Sequence, residues 1–217
     1  MLSAPVTDDE LWKSLRAANH ASSPGPSGLP YPLWDLIGDE AIPRLCALAN
    51  GMMAGCGIEV HLQTTLLHKK GDRMDLANYR PISVSDSAIR IIPRVMANRL
   101  QAASGRTLPW TQGAFMAKRR TSTLVLALQG ISDDVRSGQE GMPDSILVIS
   151  LDQQKAYDRV SRDWLQLVLQ HSGMPEAFQG FTRALYSHTT LQVMVNGHLT
   201  RPVHMMEGLL QGDPLSC

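Results

Sequence analysis

The residues best suited to chemistry lie between Ile146 and Val160, ILVISLDQQKAYDRV, where an apolar run delivers Asp152 and, five residues later, Tyr157. Ser145 to Leu151 is apolar and β-branched, which predicts a buried strand. A carboxylate at the end of such a strand points out of the sheet edge, where oxygen ligands hold hard cations such as Mg2+. Phosphoryl transfer in polymerases uses two such ions about 3.5 to 4 Å apart, activating the attacking hydroxyl and stabilising the leaving oxygen. One aspartate cannot hold both, and an aspartate after a strand also serves as a helix cap or turn former. If a helix follows Asp152, Tyr157 lies beside the same site, where its ring could exclude a ribose 2′-hydroxyl and select deoxynucleotides. A core tyrosine is the alternative. Asp158 either ligates metal indirectly or caps the next helix, and Lys155 is structural or faces solvent.

A second group sits near the C-terminal end. In EGLLQGDPLS the pair Asp213-Pro214 suits the N-cap and first position of a helix. Gln211 then projects beside an incoming substrate from the loop before that helix, although a generic capped helix start accounts for the same residues. Lys69, Lys70 and Arg80 form a third group that could clamp a triphosphate or template phosphate, arginine as a planar fork and lysine as a point charge. A lysine pair in a turn also serves plain solubility. Of the seven histidines, His68, His171, His188, His198 and His204 show no metal-ligand pairing and are assigned no role.

Elements must place these groups. Thr7 followed by Asp8, Asp9 and Glu10 predicts a capped helix with acids in its first turn. The loop Ser22 to Pro32 is too rich in proline and glycine for helix or sheet and leads to a helix from about Leu33 to Ala54, interrupted or kinked near Pro43. Val60 to Lys69 and Tyr79 to Ser85 read as a hairpin with basic residues at its tip. Apolar residues at helical spacing predict a helix over Ser87 to Ala103, and a second from Thr121 or Ser122 to near Gly138. Two helices follow, Ser161 to Ser172 and Pro175 to Ser187, and then a hairpin whose turn is Asn196-Gly197.

Composition bounds the class. A hydrophobic content of 43% over 217 residues supports one large domain or two small lobes, and argues against disorder. No apolar run approaches the roughly 18 to 20 residues that span a bilayer, and MLSAPVTDDE is not a signal peptide, so an intracellular protein without membrane association is expected. Three cysteines, Cys46, Cys56 and Cys217, fit neither a zinc site nor a disulfide framework. The net charge is zero, yet between His68 and Arg120 eleven Lys/Arg face three acids, a local excess of +8. Such a segregated basic region can neutralise phosphates, or it can be a solvated helix face with scattered arginines.

At these residues the chain resembles the reverse transcriptases of non-LTR (LINE-type) retrotransposons, over about Ser22 to Cys217. SPGPSGLP resembles the family's SPGPDGLP loop, and LLHKKGDRMDLANYRPISVSDSAIRIIPRVMANRL its fingers block. TQGAFMAKRRTSTLVLAL is similar to the Q-x-G-F block with its basic turn and helix. LDQQKAYDRVSRDWL resembles motif A, and NGHLTRPVHMMEGLLQGDPLS the hairpin leading to motif B. A group II intron maturase is the alternative family, which the NYRPIS and QGDPLS blocks fit less well.

The resemblance implies an α+β fold of the right-hand polymerase type, with an N-terminal helical segment over 1–20, fingers over 21–144 and the start of the palm over 145–217. It makes Asp152 the first metal-binding aspartate, expected to hold Mg2+, and Tyr157 the sugar gate. It makes Gln211 and Gly212 the contact to nucleotide and template strand, and Arg80 with Lys69 or Lys70 the fingers contacts to phosphate. Arg73, Lys118, Arg119 and Arg120 are further expected contacts to nucleic acid. The implied partners are an RNA template, a DNA primer and dNTPs, in the nucleus or cytoplasm; no protein partner is indicated. Two residues depart from the family pattern: Ser27 stands where the loop usually has aspartate, and Lys118 where glycine is common. The aromatic-Ala-Asp-Asp motif whose aspartates complete the metal pair is not met before Cys217. Residues 1–217 are therefore expected to be an inactive polymerase fragment, the alternatives being a non-catalytic nucleic-acid-binding remnant or an unused pseudogene product.

Overall fold

The computed structural model describes residues 1–105, 108–138, 141 and 143–216, so Arg106 of the basic segment and Cys217 lie outside it. The chain divides into two compact units, Met1–Arg99 with Lys155–Cys217, and Leu100–Gln154.

The first unit holds an α+β core. Helix α1 (Asp8–Arg16) starts at a capping box: Glu10 N–H donates to the Thr7 hydroxyl at 3.4 Å, and Thr7 N–H to the Glu10 carboxylate at 3.1 Å. The helix expected over Leu33 to Ala54 is two helices, α2 (Tyr31–Leu36) and α3 (Gly38–Met53). The break falls at Ile37, whose backbone leaves the helical region, and the next residue, Gly38, packs so closely on the Trp12 ring that it has no room for a Cβ. Pro43 sits inside α3 rather than ending it. Ile42, Leu45, Ala49, Met52 and Met53 recur at helical spacing and form its buried face.

Strands β1 (Glu59–His68) and β2 (Tyr79–Val84) form the expected antiparallel hairpin, in register from Gln63↔Val84 to His68↔Tyr79. Strand β3 (His188–Val195) runs parallel to β1, from Glu59↔His188 to Thr65↔Met194, a pairing that hairpin signals do not reveal. The turn Asn196-Gly197, with φ of 50° and 81°, returns the chain into β4 (His198–Leu199). β5 (Val203–His204) also pairs with β3. One sheet face carries Val60, Leu62 and Thr64 into the core. Helices α4 (Ser87–Ser104), α6 (Arg162–His171) and α7 (Glu176–Tyr186) complete the set; Ile91, Ile92 and Met96 of α4 and Phe178, Phe181 and Leu185 of α7 are fully buried. The cap of α6 is Ser161, whose hydroxyl accepts from Trp164 N–H at 3.2 Å, and not Asp158.

The second unit contains the last residues of α4, a loop, and α5 (Thr121–Arg136). Here one expectation is overturned: Ser145 to Leu151 is not a buried strand. Among the described residues of this unit it takes no strand conformation, and Leu147 and Leu151 are 85% and 90% exposed. A strand buried on both faces needs neighbours at its edges and layers above and below it, and the described residues of this unit supply neither. No helix follows Asp152 either; residues 154–159 are turns closed by Asp158 N–H and Arg159 N–H onto the Lys155 carbonyl at 3.0 and 3.2 Å. Lys155 is exposed and takes a left-handed φ of 52°, which a helix does not accept.

Candidate functional site

Four stretches far apart in sequence meet in the first unit. The turn carrying Tyr157 is tied to the loop before Gln211 by two backbone bonds: Leu209 N–H donates to the Tyr157 carbonyl at 2.9 Å, and Gly208 N–H to the Val160 carbonyl at 2.8 Å. A Cβ on Gly212 would lie 3.4 Å from the Ser83 carbonyl of β2, so the loop also abuts the NYRPIS strand. The end of that strand receives the proline-rich loop: Ser27 N–H donates to the Asp86 carboxylate at 2.7 Å, and Ser87 N–H to the Pro24 carbonyl at 2.9 Å. The Ser87 hydroxyl donates to the Leu29 carbonyl at 2.6 Å and accepts from the Trp34 indole at 2.7 Å. Arg90 bonds the Ser23 carbonyl and covers the Tyr31 ring.

Within this site Tyr157 and Gln211 are half-buried and Gly212 is exposed with a φ of 88°. Asp213 is buried. Its carboxylate accepts from Leu215 N–H at 2.8 Å, the bond expected of a helix cap, and the other oxygen has no hydrogen-bond partner among the described residues. Burial pushes its pKa up to about 7, while the Leu215 amide and the charges of Arg90 and Arg94 hold it back.

At the hairpin tip Lys69, Lys70, Arg73 and Arg80 are all exposed. The turn that displays them is ordered by its own bonds: Lys69 N–H to the Asn78 carbonyl at 2.8 Å, the Asn78 amide to the Asp72 carbonyl at 2.9 Å, and the Tyr79 hydroxyl to the Arg73 carbonyl at 3.0 Å. Their charged ends are thereby left pointing to solvent from a defined frame.

In the second unit Asp152 is exposed. As a hard oxygen donor it suits a divalent cation, but among the described residues no group of three or more His, Cys, Asp or Glu side chains could hold a metal ion. Lys118 and Arg120 are exposed, whereas Arg119 turns its guanidinium onto backbone carbonyls, including those of Leu108 and Gln112 at 3.0 Å each and that of Pro109. Lys118 has a left-handed φ of 65°, which gives a physical reason for glycine at that position.

Several contributors leave no signal in the sequence. Arg99 looks like one more cation of the basic segment, yet it is buried and bonds both Glu10 oxygens, at 2.6 and 2.7 Å, and the carbonyls of Met1, Ala4 and Pro5. Arg162 and Tyr186 are bound to the loop that carries Gln211, and nothing in their local spacing announces it.

The fold and these convergent blocks define a partial polymerase fold of the α+β class. Residues 67–217 match the family described as reverse transcriptase (RNA-dependent DNA polymerase). The chain is 30% identical over 221 residues to the transposon TX1 uncharacterized 149 kDa protein of Xenopus laevis, covering 99% of this chain and 16% of that protein. It is 33% identical over 156 residues to a retrovirus-related Pol polyprotein from the type-1 retrotransposable element R2 of Popillia japonica, covering 71% of this chain and 21% of that protein. An R2 Pol polyprotein of Nasonia vitripennis is 29% identical over 217 residues, with 98% and 20% covered. The chain belongs to the reverse transcriptase family, in its non-LTR retrotransposon branch. It spans about a fifth or less of the length of these relatives. The family uses divalent metal and acts on nucleic acid.

Proposed function

We propose that the chain supplies the fingers and the start of the palm of a non-LTR RNA-directed DNA polymerase, which extends a DNA 3′-hydroxyl with dNTPs on an RNA template. The observation that carries this reading is the meeting of the Ser83, Tyr157 and Gly208–Gly212 segments in one unit, closed by the Leu209 to Tyr157 bond at 2.9 Å. In it Tyr157 excludes the 2′-hydroxyl, and Gln211 and Gly212 meet the incoming nucleotide and template strand. Lys69, Lys70, Arg73 and Arg80 neutralise phosphates from the ordered hairpin tip, with Lys118 and Arg120 adding charge. Asp152 is one ligand of Mg2+, which when bound supplies charge stabilisation for phosphoryl transfer. With one candidate carboxylate, residues 1–217 bind primer and template without extending the primer.

The test is fluorescence anisotropy of purified residues 1–217 with a DNA primer annealed to an RNA template, in a salt series. Reversing Lys69, Lys70 and Arg80 to glutamate is expected to flatten the log–log salt slope by about three, close to one for each phosphate no longer neutralised. Absence of binding, or binding indifferent to salt and to these substitutions, overturns the reading. Mg2+-dependent primer extension by the same chain, lost in Asp152→Asn, would overturn the expected inactivity alone.

A further inference from the structure

The loop that carries Gln211 and Gly212 is fastened at both of its ends by one pair of side chains. Arg162 follows the α6 cap, so its backbone is fixed at a helix start. Its Nε donates to the Gly208 carbonyl at 3.2 Å and its Nη1 to the Tyr186 carbonyl at 2.8 Å, while its Cζ stands 5.1 Å from the centre of the Tyr186 ring. The buried Tyr186 hydroxyl in turn shares a hydrogen bond with the Ser216 hydroxyl at 3.1 Å. Gly208 lies before Gln211 and Ser216 after Asp213, so the beginning of α6 and the end of α7 hold both flanks of the loop.

We infer that Arg162 is a positioning residue that sets where Gln211 and Gly212 stand, acting through the Gly208 carbonyl and, with Tyr186, through Ser216. The inference rests on the reading that this loop meets nucleotide and template. Only a rigid planar fork aims at two carbonyls and lies on a ring at once; a lysine ammonium reaches one of these partners. Burial lowers the pKa of Arg162 from the ordinary arginine value and pushes that of Tyr186 up to about 12, so the phenol remains a neutral hydrogen-bonding group near neutral pH. Removing the guanidinium leaves two carbonyls without their charged donor, whereas Tyr186→Phe keeps the ring and the carbonyl and loses the hydroxyl's bonds to Ser216 and to the Leu210 backbone.

The experiment compares residues 1–217 with Arg162→Gln, Arg162→Lys and Tyr186→Phe by amide hydrogen exchange and by binding. In Arg162→Gln the Gly208 and Leu209 amides are expected to exchange at least about tenfold faster while the paired amides of β1 and β3 stay as they were, since a charged hydrogen bond contributes about that much. Arg162→Lys recovers part of the protection, and Tyr186→Phe leaves Gly208 and Leu209 protected. The binding arm uses a 3′-deoxy-terminated DNA primer on an RNA template, with and without the next complementary dNTP. Arg162→Gln is expected to reduce the dNTP-dependent tightening about tenfold with primer–template affinity unchanged, a split that general loosening of the fold does not produce. Unchanged exchange at Gly208 and Leu209, or a parallel loss of both affinities, overturns the inference. If the wild-type chain shows no dNTP-dependent tightening, the functional reading falls instead, and the exchange arm still decides whether Arg162 holds the loop.

Discussion

Leu209 donates its amide hydrogen to the carbonyl of Tyr157 at 2.9 Å, joining two segments more than fifty residues apart in sequence. The neighbouring residue makes this approach possible. Gly208 has a φ of 84°, and a Cβ there would stand 3.0 Å from the Asp158 carbonyl oxygen and 3.1 Å from the Asp158 Cα.

Gly208→Ala should therefore destabilise in two ways: about 1–2 kcal/mol from the left-handed backbone and about 1–3 kcal/mol from collision with main chain. Gly197→Ala is the matched comparison, with a φ of 81° and nothing within 4 Å of the added carbon. Urea denaturation of both variants separates the two terms. Equal losses would show that the turn of Tyr157 does not press on Gly208.

Arg99 and Glu10 make an acid-sensitive fastening for the N-terminal segment. The hydrogen bond from Arg99 is the largest cause lowering the Glu10 pKa from its ordinary value of 4.5, against a smaller opposing effect of burial. A depressed folded-state pKa gives stability that is present above pH 4.5 and is lost as pH falls through the folded value. Glu10→Gln should thus be less stable than wild type at pH 7, with the gap closing as the pH drops below 4.5. Arg99→Ala should lose about 3 kcal/mol or more, because it strands a partly buried carboxylate and three carbonyls. Denaturant titrations at pH 7 and pH 4 read both effects.

Lys118 carries a side chain where the backbone favours none. Its φ of 65° costs an L-residue about 1–2 kcal/mol, while glycine adds roughly 0.5–1 kcal/mol of chain entropy to be lost on folding. Lys118→Gly is expected to stabilise by about 0.5–1 kcal/mol and Lys118→Ala to give no such gain. A Lys118→Gly variant no more stable than Lys118→Ala would contradict a left-handed residue 118.

These cases show what was legible in the chain and what was not. The helices α1, α4, α5, α6 and α7 and the β1–β2 and β3–β4 hairpins were readable because periodicity, the Thr7 cap and the Asn196-Gly197 turn are local signals. The parallel pairing of β1 with β3 was not, since it joins Glu59 to His188 with no mark in either segment. Ser145 to Leu151 has the composition of a central strand but stands exposed among the described residues, because strand propensity expresses itself only where a partner is at hand. The blocks of the site were visible as sequence, and their convergence around Leu209 was not. Arg99 and Arg162 were invisible as structural residues, because a buried arginine bonded to carbonyls has the same letter as one facing a phosphate.

Asp213 gives the site a pH dependence whose sign runs opposite to that of Glu10. Burial raises its pKa from the ordinary 3.8 to about 7, against the opposing pull of the Leu215 amide, Arg90 and Arg94. The charged carboxylate is thus disfavoured in the folded chain, and its contribution to stability is fully present below pH 3.8, falls as pH rises, and is gone above about 7. Asp213→Asn carries a neutral group of the same shape and keeps the oxygen that accepts from Leu215 N–H at 2.8 Å. It should melt higher than wild type at pH 8, with the advantage shrinking as pH falls toward 4. Arg90 and Arg94 oppose the effect of burial, so Arg94→Gln should raise the Asp213 pKa further and widen the gap at pH 8. Thermal melts of wild type, Asp213→Asn, Arg94→Gln and the double variant between pH 4 and pH 8 test this. A wild type that gains stability over Asp213→Asn as the pH rises would mean that the carboxylate is held as an anion, with Arg90 or Arg94 as a direct partner.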